Sequence, residues 1–337
     1  MNPSTNLLPA AIKRFLGDYL PHQKALSDHT ILSYRDSIKL LLQFTAGPKR
    51  KVSDLTIDDL SPTLIISFLA QLEKVRRNKP ATRNVRLTAI HSFFAFLGRQ
   101  HPEYLDQAGR VLSIPFKRTD ERTIDYLEAE EMKILLDSID RTKPAGRRDY
   151  TLLTLMFNSG SRVSEVVSLR TNDLRLVSPP SVKFFGKGNK ERICPLWPET
   201  ARLLKQYCED QAIDLHEPQI LFRNHRGGPL TRFGARLILR RHVLRATKAC
   251  SALSQKRIHP HSVRHSTAVH LLKAGVDLST IAHWLGHKSI VTTHKYVAID
   301  LNAKRAAIAK AGPIIGKAHT PPGWHASEDL LKWLESL

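Results

Sequence analysis

Arg162, Lys187, His261, Arg264, His287 and Tyr296 are the side chains of this sequence whose types and order could do chemistry together. Two guanidinium groups can grip phosphate oxygens in a fixed fork. An ammonium can protonate a departing oxygen, and two imidazoles can hold or move a proton. The phenol is the one nucleophile of the set that would leave a covalent bond between protein and phosphate. A set of this kind can transfer a phosphoryl group without a metal, so neither a metal nor a cofactor is expected.

Each residue sits in a context that could present it. Asn158-Ser-Gly-Ser-Arg-Val-Ser-Glu165 reads as the end of one helix and the start of the next. Gly160 is placed to turn the chain at the helix end, and Arg162 then stands beside a fresh N-terminus. A plainer role for Arg162 is an ion pair with Glu165; both can hold, since a carboxylate would orient the guanidinium. Gly186-Lys-Gly-Asn-Lys-Glu-Arg192 puts Lys187 at a hairpin tip, with Lys190 as a rival for the same role. The spacing GxxxxGK[ST] of a nucleotide phosphate loop is absent. In His261-Ser-Val-Arg264, Pro260 suits a first helical turn, so the histidine and arginine are expected on one face near backbone donors that favour an anion. Leu285-Gly-His287 reads as a helix end that delivers His287. Tyr296 follows within a further helix and, taken alone, would pass for a core tyrosine.

Seven histidines (259, 261, 265, 270, 283, 287 and 294) gather in this stretch. His283 and His287 stand four apart, which suits a metal on a helix. No HExxH and no paired cysteines accompany them, and Gly286 is expected to break the helix between them.

The elements that must position these groups fit a chain of two domains. The length is 337 residues, and 52 lysines and arginines face 31 acids for a net charge of +21. That excess calls for a polyanionic partner, nucleic acid first. The three cysteines, Cys194, Cys208 and Cys250, lie far apart with no CxxC, which indicates neither a disulfide framework nor a zinc ribbon and fits a reducing cytoplasm. Leu7 to Leu16 is broken by Lys13 and Arg14, so it predicts a helix start rather than a membrane span or signal.

Residues 1–112 are expected to be all-helical. Ser27 precedes Ile31, Tyr34, Ile38, Leu41, Leu42 and Phe44; Ser61-Pro62 precedes Leu64, Ile65, Phe68, Leu69 and Leu72; and a third helix from about Ala81 turns Leu87, Ile90, Phe93, Phe94 and Leu97 inward. The basic loop Lys74–Lys79 is either a solvated turn or a phosphate contact. Residues 113–125 read as a linker, and 126–312 as a second domain. There, helices are expected at 128–139, 148–158, 199–212, 231–248, 261–274, 279–285 and 289–299, with a hairpin of 181–185 and 191–195 around a Gly-Lys-Gly-Asn turn. The fold class is mainly α with a small β-sheet.

Taken in order, S-G-S-R-V-S-E, G-K-G-N-K-E-R, H-x-x-R, L-G-H and a tyrosine nine residues later resemble the tyrosine recombinase (phage integrase) family, nearest its Xer-type and transposon-encoded members. The likeness is strong over 126–300 and looser over the helical N-terminal part, which resembles the family's core-binding domain. It implies a mixed α/β catalytic domain acting on double-stranded DNA, with a homotetramer assembled on paired sites and room for a second recombinase or an accessory protein. It further implies that Tyr296 attacks a scissile phosphate to give a 3′-phosphotyrosine. Arg162 and Arg264 would hold the non-bridging oxygens, Lys187 would protonate the leaving 5′-oxygen, His261 would accept the tyrosine proton, and His287 would support the phosphate. Many members carry threonine where this chain has Ser159; the hydroxyl is kept.

Beyond Pro313, the stripe Leu330, Trp333, Leu334 and Leu337 suggests a helix in the 313–337 tail that docks in trans onto a neighbouring subunit, or else on its own domain. A type IB topoisomerase and a DNA-binding regulator of the same fold remain as alternatives. Integration, excision, transposition and resolution are not separated at this level.

Overall fold

The computed structural model describes residues 6–119, 124–186, 191–287, 293 and 296. The chain divides into two compact units, Met1–Arg122 and Thr123–Leu337.

In the first unit, the Asn6 side chain caps α1 (Leu7–Arg14), which runs on as π-helical turns over Phe15–Gln23. Four helices follow: α2 (Asp28–Ala46), α3 (Pro62–Lys74), α4 (Pro80–Gln100) and α5 (Leu105–Leu112). Ser61 caps α3 by accepting from the Leu64 amide, and proline opens both α3 and α4, where its missing N–H removes no helical bond. The periodic positions carry the core: Ile38, Leu41, Ile65, Phe68, Leu69, Leu72, Leu87, Ile90, Phe93, Phe94 and Leu97 are all buried, and Ile31, Tyr34, Leu42, Phe44 and Leu64 pack partly buried against them. Lys74, at the end of α3, and Arg76, Arg77 and Lys79, between α3 and α4, are exposed, and Arg77 adopts the left-handed region at φ 52°.

The second unit is built around α6 (Ala129–Asp137), α7 (Pro144–Ser159), α8 (Val163–Val167), α9 (Pro198–Asp210), α10 (Arg232–Ala246), α11 (Pro260–Lys273) and α12 (Leu278–Leu285). Helix α7 begins earlier than the expected 148, because Pro144 stands at its first turn with φ already set for a helix. The sheet is antiparallel in the order β1-β2-β3, with β1 at Leu174–Arg175, β2 at Ser181–Phe185 and β3 at Glu191–Pro195. The β2–β3 hairpin follows the expected pairing, with Val182 opposite Cys194 and Phe184 opposite Arg192. Strand β1 was not foreseen; two residues are too few to show an alternating pattern.

Lys187, Lys190 and the 313–337 tail with its apolar stripe lie outside the described residues, and of the helix expected at 289–299 only Thr293 and Tyr296 are described. Among the described residues, no helix is long and apolar enough to cross a membrane.

Candidate active site

Two left-handed glycines shape the site. Gly160 ends α7 at φ 57°, and Gly286 ends α12 at φ 65°. At both positions a side chain would strain the backbone, and at Gly160 a Cβ would also fall 2.5 Å from Leu285 Cδ2. The turns leave helix-end carbonyls without intrahelical donors, and three arginines use them. Arg264, on α11, donates to the Gly160 carbonyl at 2.8 Å and to the Leu285 carbonyl at 2.6 Å. Arg162 donates to the Gly286 carbonyl at 3.3 Å, and Arg192 to the Trp284 carbonyl at 3.1 Å. The negative ends of two helix dipoles therefore face the cations.

Glu165 organises two of the three. Its Oε2 accepts from the Arg162 backbone amide and from Arg192 Nη2, each at 2.8 Å, while Oε1 accepts from Arg162 Nη1 at 2.8 Å. Burial works to raise the Glu165 pKa, but the hydrogen bond and charge of Arg192, followed by those of Arg162, hold the carboxyl below its usual range. The ion pair anticipated for Arg162 is thus present, and it also positions the guanidinium.

Arg264 is only 4% exposed. Burial, and then the positive charges of Arg162 and Arg192, lower its pKa to about 10. Among the described residues the arginine cluster is short of negative charge: three guanidinium groups gather near the one carboxylate of Glu165. An anion bound there would relieve their mutual repulsion, as a phosphate does.

Arg192 carried no assigned role in the sequence analysis, although it closes the hairpin motif. Strand alternation was the available signal. Cys194 is buried and Arg192 half-buried on one face of β3, while Ile193 is 69% exposed on the other. An arginine on the inward face of a strand needs a partner; Arg192 has Glu165, and its guanidinium also lies 4.8 Å from the centre of the Phe184 ring. Asn158 fastens the end of α7 beyond β3 by accepting from the Trp197 amide at 3.0 Å.

His261 and Arg264 occupy different surroundings despite their spacing. Arg264 points into the protein, whereas His261 is exposed in the first turn of α11. His261 borders an open cleft of about 660 Å³ shared with Val163, Arg232, Phe233, Arg236 and His259. The helix start itself is held by His259, whose Nδ1 accepts from the Ser262 amide at 3.2 Å.

One turn after His261, His265 reaches the tyrosine: its Nδ1 lies 2.7 Å from Tyr296 Oη. Tyr296 is fully buried. Burial pushes its phenol up to about 12, against the lowering effect of Arg264. His287, delivered by the Gly286 turn as expected, places Nδ1 2.8 Å from Thr293 Oγ1. His265 and Thr293 had no assigned role in the sequence; only the spacing of His265 from His261 on one helix hinted at the former. His283 is exposed, and among the described residues no group of histidine, cysteine and carboxylate side chains is arranged to hold a metal.

Of the six candidates, the fold thus gathers Arg162 and Arg264 around the two glycine turns. His287 follows directly on one of those turns, and Tyr296 lies close enough to Arg264 for its charge to act on the phenol. His261 stands at the exposed edge, and Lys187 falls outside the described residues.

These features define a class of protein. The chain belongs to the phage integrase family, whose catalytic pattern matches residues 125–302; the pattern of the phage integrase N-terminal SAM-like domain matches residues 12–101. Among similar proteins, y4rC of Sinorhizobium fredii, named as an integrase/recombinase, is 37% identical over the full length of both chains. Tyrosine recombinase XerD of Staphylococcus epidermidis is 32% identical, covering 88% of this chain and 96% of its own. Two solved structures share the fold. The Tn1549 transposon integrase in complex with transposon right-end DNA has a TM-score of 0.67 at 16% identity, covering 88% of this chain and 98% of its own. The XerH site-specific recombinase bound to its difH substrate has a TM-score of 0.63 at 21% identity, covering 82% and 78%.

Proposed function

We propose that this protein is a site-specific recombinase that cuts and rejoins duplex DNA through a 3′-phosphotyrosine. The observation that carries the reading is the surplus of positive charge that, among the described residues, Arg162, Arg192 and Arg264 build around the carboxylate of Glu165, with a tyrosine hydroxyl nearby. An in-line displacement at a phosphodiester puts charge on the equatorial oxygens, and preorganised cations stabilise it without reorganising.

In this mechanism Tyr296 Oη bonds to phosphorus as the bond from phosphorus to the 5′-oxygen breaks. Lys187 gives a proton to that oxygen, which leaves as a hydroxyl. Arg162 and Arg264 hold the non-bridging oxygens, and Arg192 supports Arg162 through Glu165. His261, at the exposed edge, takes the phenolic proton, and His287 supports the phosphate. Rejoining runs the same steps backwards, with the 5′-hydroxyl as nucleophile and Tyr296 as leaving group. The phosphotyrosine conserves the energy of the broken bond, so no ATP is consumed.

The reading extends to a homotetramer on paired DNA sites, in the cytoplasm. The exposed basic loop Lys74–Lys79 of the helical unit fits a contact with the phosphate backbone.

The test is covalent capture. The purified protein is mixed with fragmented DNA of its source, denatured, and the protein-linked ends are sequenced, with Tyr296→Phe as control. Linked 3′ ends clustered at one motif are expected. Linked ends scattered without sequence preference would replace the recombinase reading with a topoisomerase, and the absence of any Tyr296-dependent adduct would replace it with a DNA-binding protein.

A further inference from the structure

We propose that Asn84 is a positioning residue that clasps Lys117 onto α4 and so sets how much chain joins the helical unit to the catalytic unit. That length fixes the distance along DNA between the segment the helical unit grips and the phosphate that Tyr296 attacks; the proposal rests on the recombinase reading. What carries it is the path of the residues expected to form a linker. Ile114 is buried in the core of the first unit. The Pro115 carbonyl accepts from Arg83 Nη1 at 2.9 Å. The Phe116 ring meets that of His91 edge-on, with centroids 5.2 Å apart. The Lys117 backbone is held twice by one side chain: its amide donates to Asn84 Oδ1 at 3.1 Å, and its carbonyl accepts from Asn84 Nδ2 at 2.7 Å. From the other direction, Ile124 packs in the second unit against the cluster of Val269, Ile281 and Leu285, and the Leu127 amide donates to Ser266 Oγ at 2.7 Å. Lys117 is thus the last residue that these contacts fasten to the first unit and Ile124 the first that packs in the second, with residues 118–123 joining them in sequence.

The chemistry of the clasp is specific. A primary amide presents a donor and an acceptor side by side, which is what the N–H and C=O of one backbone residue need. Its orientation is fixed from behind. Arg83, which can only donate, also gives a hydrogen bond to Asn84 Oδ1 at 3.2 Å, so the oxygen rather than the nitrogen lies toward the Lys117 amide. Arg83 is itself 6% exposed, and a buried guanidinium costs free energy unless its partners stay in place. The pair of Lys117 Nζ with Glu73 at 2.7 Å lies at the surface and adds little by itself. Without Asn84, Phe116 and Lys117 would join the connection. Each residue adds about 3.5 Å of reach at full extension, so the gain is about 7 Å, or about two base-pair steps of a duplex. A short connection serves only sites whose separation it can span, and a longer one admits wider sites.

Hydrogen exchange of the full chain, read residue by residue, tests the clasp. Asn84→Ala is expected to speed exchange of the Lys117 amide roughly tenfold, with the amide of Leu97, buried in the same helix, unchanged. Alanine favours a helix more than asparagine does, so α4 itself is not weakened. Covalent adduct formation tests the consequence. The substrates are the captured site and copies with one or two base pairs inserted between the segment that the helical unit protects and the cut phosphate. The natural protein should lose adduct on the widened copies, and Asn84→Ala should shift its preference toward them by up to about two base pairs. Inserting Gly-Gly after Arg118 lengthens the connection equally but leaves the clasp alone, so it should reproduce the shift with Lys117 exchange unchanged. Unchanged exchange at Lys117 in Asn84→Ala overturns the proposal, and so does faster exchange with no change in preferred spacing. Should Leu97 also exchange faster in Asn84→Ala, the Gly-Gly insertion decides alone, and an unshifted spacing there overturns the proposal. Should the natural protein form no adduct at all, the recombinase reading fails and the proposal falls with it, a result distinct from adducts that form at an unshifted spacing.

Discussion

Arg264 donates a hydrogen bond across 2.8 Å to the carbonyl of Gly160, a residue far earlier in the chain, at the end of a different helix. Gly160 takes a left-handed conformation at the end of α7, and its carbonyl accepts from α11. Placing alanine there should strain the backbone by about 1 to 2 kcal/mol and drive a Cβ against Leu285, whose own carbonyl is the second acceptor of Arg264. Gly160→Ala is therefore expected to lower the melting temperature and, more sharply, the yield of covalent adduct. Calorimetry together with an adduct assay checks this. A variant with natural stability and full cleavage would show that the turn does not position the arginine.

Glu165 is 3% exposed at its side chain and is shared by Arg162 and Arg192. Replacing it with glutamine keeps the shape but leaves the half-buried Arg162 and Arg192 without their carboxylate, which should cost up to about 3 kcal/mol. The sign of the pH effect follows from the lowered pKa of its carboxyl. The stability it contributes is present above the ordinary glutamate value of about 4.3 and is lost as pH falls through the lower folded value. Denaturant titrations of the natural protein and Glu165→Gln should therefore differ by a constant amount near neutrality and converge in acid. A gap that persists undiminished in acid would rule out the ionised carboxylate as its source.

Arg264→Ala should impair cleavage far more than binding. Loss of a preorganised charge at a reacting phosphate costs roughly a hundredfold or more in rate, whereas one phosphate contact among many is a small share of duplex affinity. Single-turnover cleavage and equilibrium binding, measured side by side, separate the two. Equal losses would make Arg264 a structural residue only.

Lys187→Ala should cleave ordinary DNA poorly but recover on a substrate with sulfur at the 5′ bridging position, since a thiolate leaves without a proton. Failure of the sulfur substrate to rescue would move the acid role elsewhere, with Lys190 first in line.

Binding to duplex DNA should weaken steeply with salt, in keeping with a net charge of +21. Each phosphate neutralised contributes a slope of about −0.9 in the logarithm of affinity against that of salt. A flat dependence would mean that the positive charge does not face the DNA.

Much of the scaffold was legible because its signals are local. Apolar spacing located α2, α3 and α4, since a helix repeats its faces over a few neighbouring residues whatever it packs against. Pro260 and Gly286 marked a helix start and a helix end by their own backbone preferences, and the order of short motifs along the chain was enough to indicate the family. The residues that complete the site were less visible because their partners are distant in sequence. Arg192 takes its role from Glu165, carried on a different element. His265, rather than His261, meets Tyr296 because the packing of α11 against α7 sets which face of the helix turns inward, and spacing alone leaves that rotation free. The sequence by itself thus determined the kinds of chemical group and the helices that carry them. Only the tertiary structure decided which cations share a carboxylate, which carbonyls cradle them, and that Tyr296 rests buried, because burial and charge pairing depend on contacts between segments that no local pattern records.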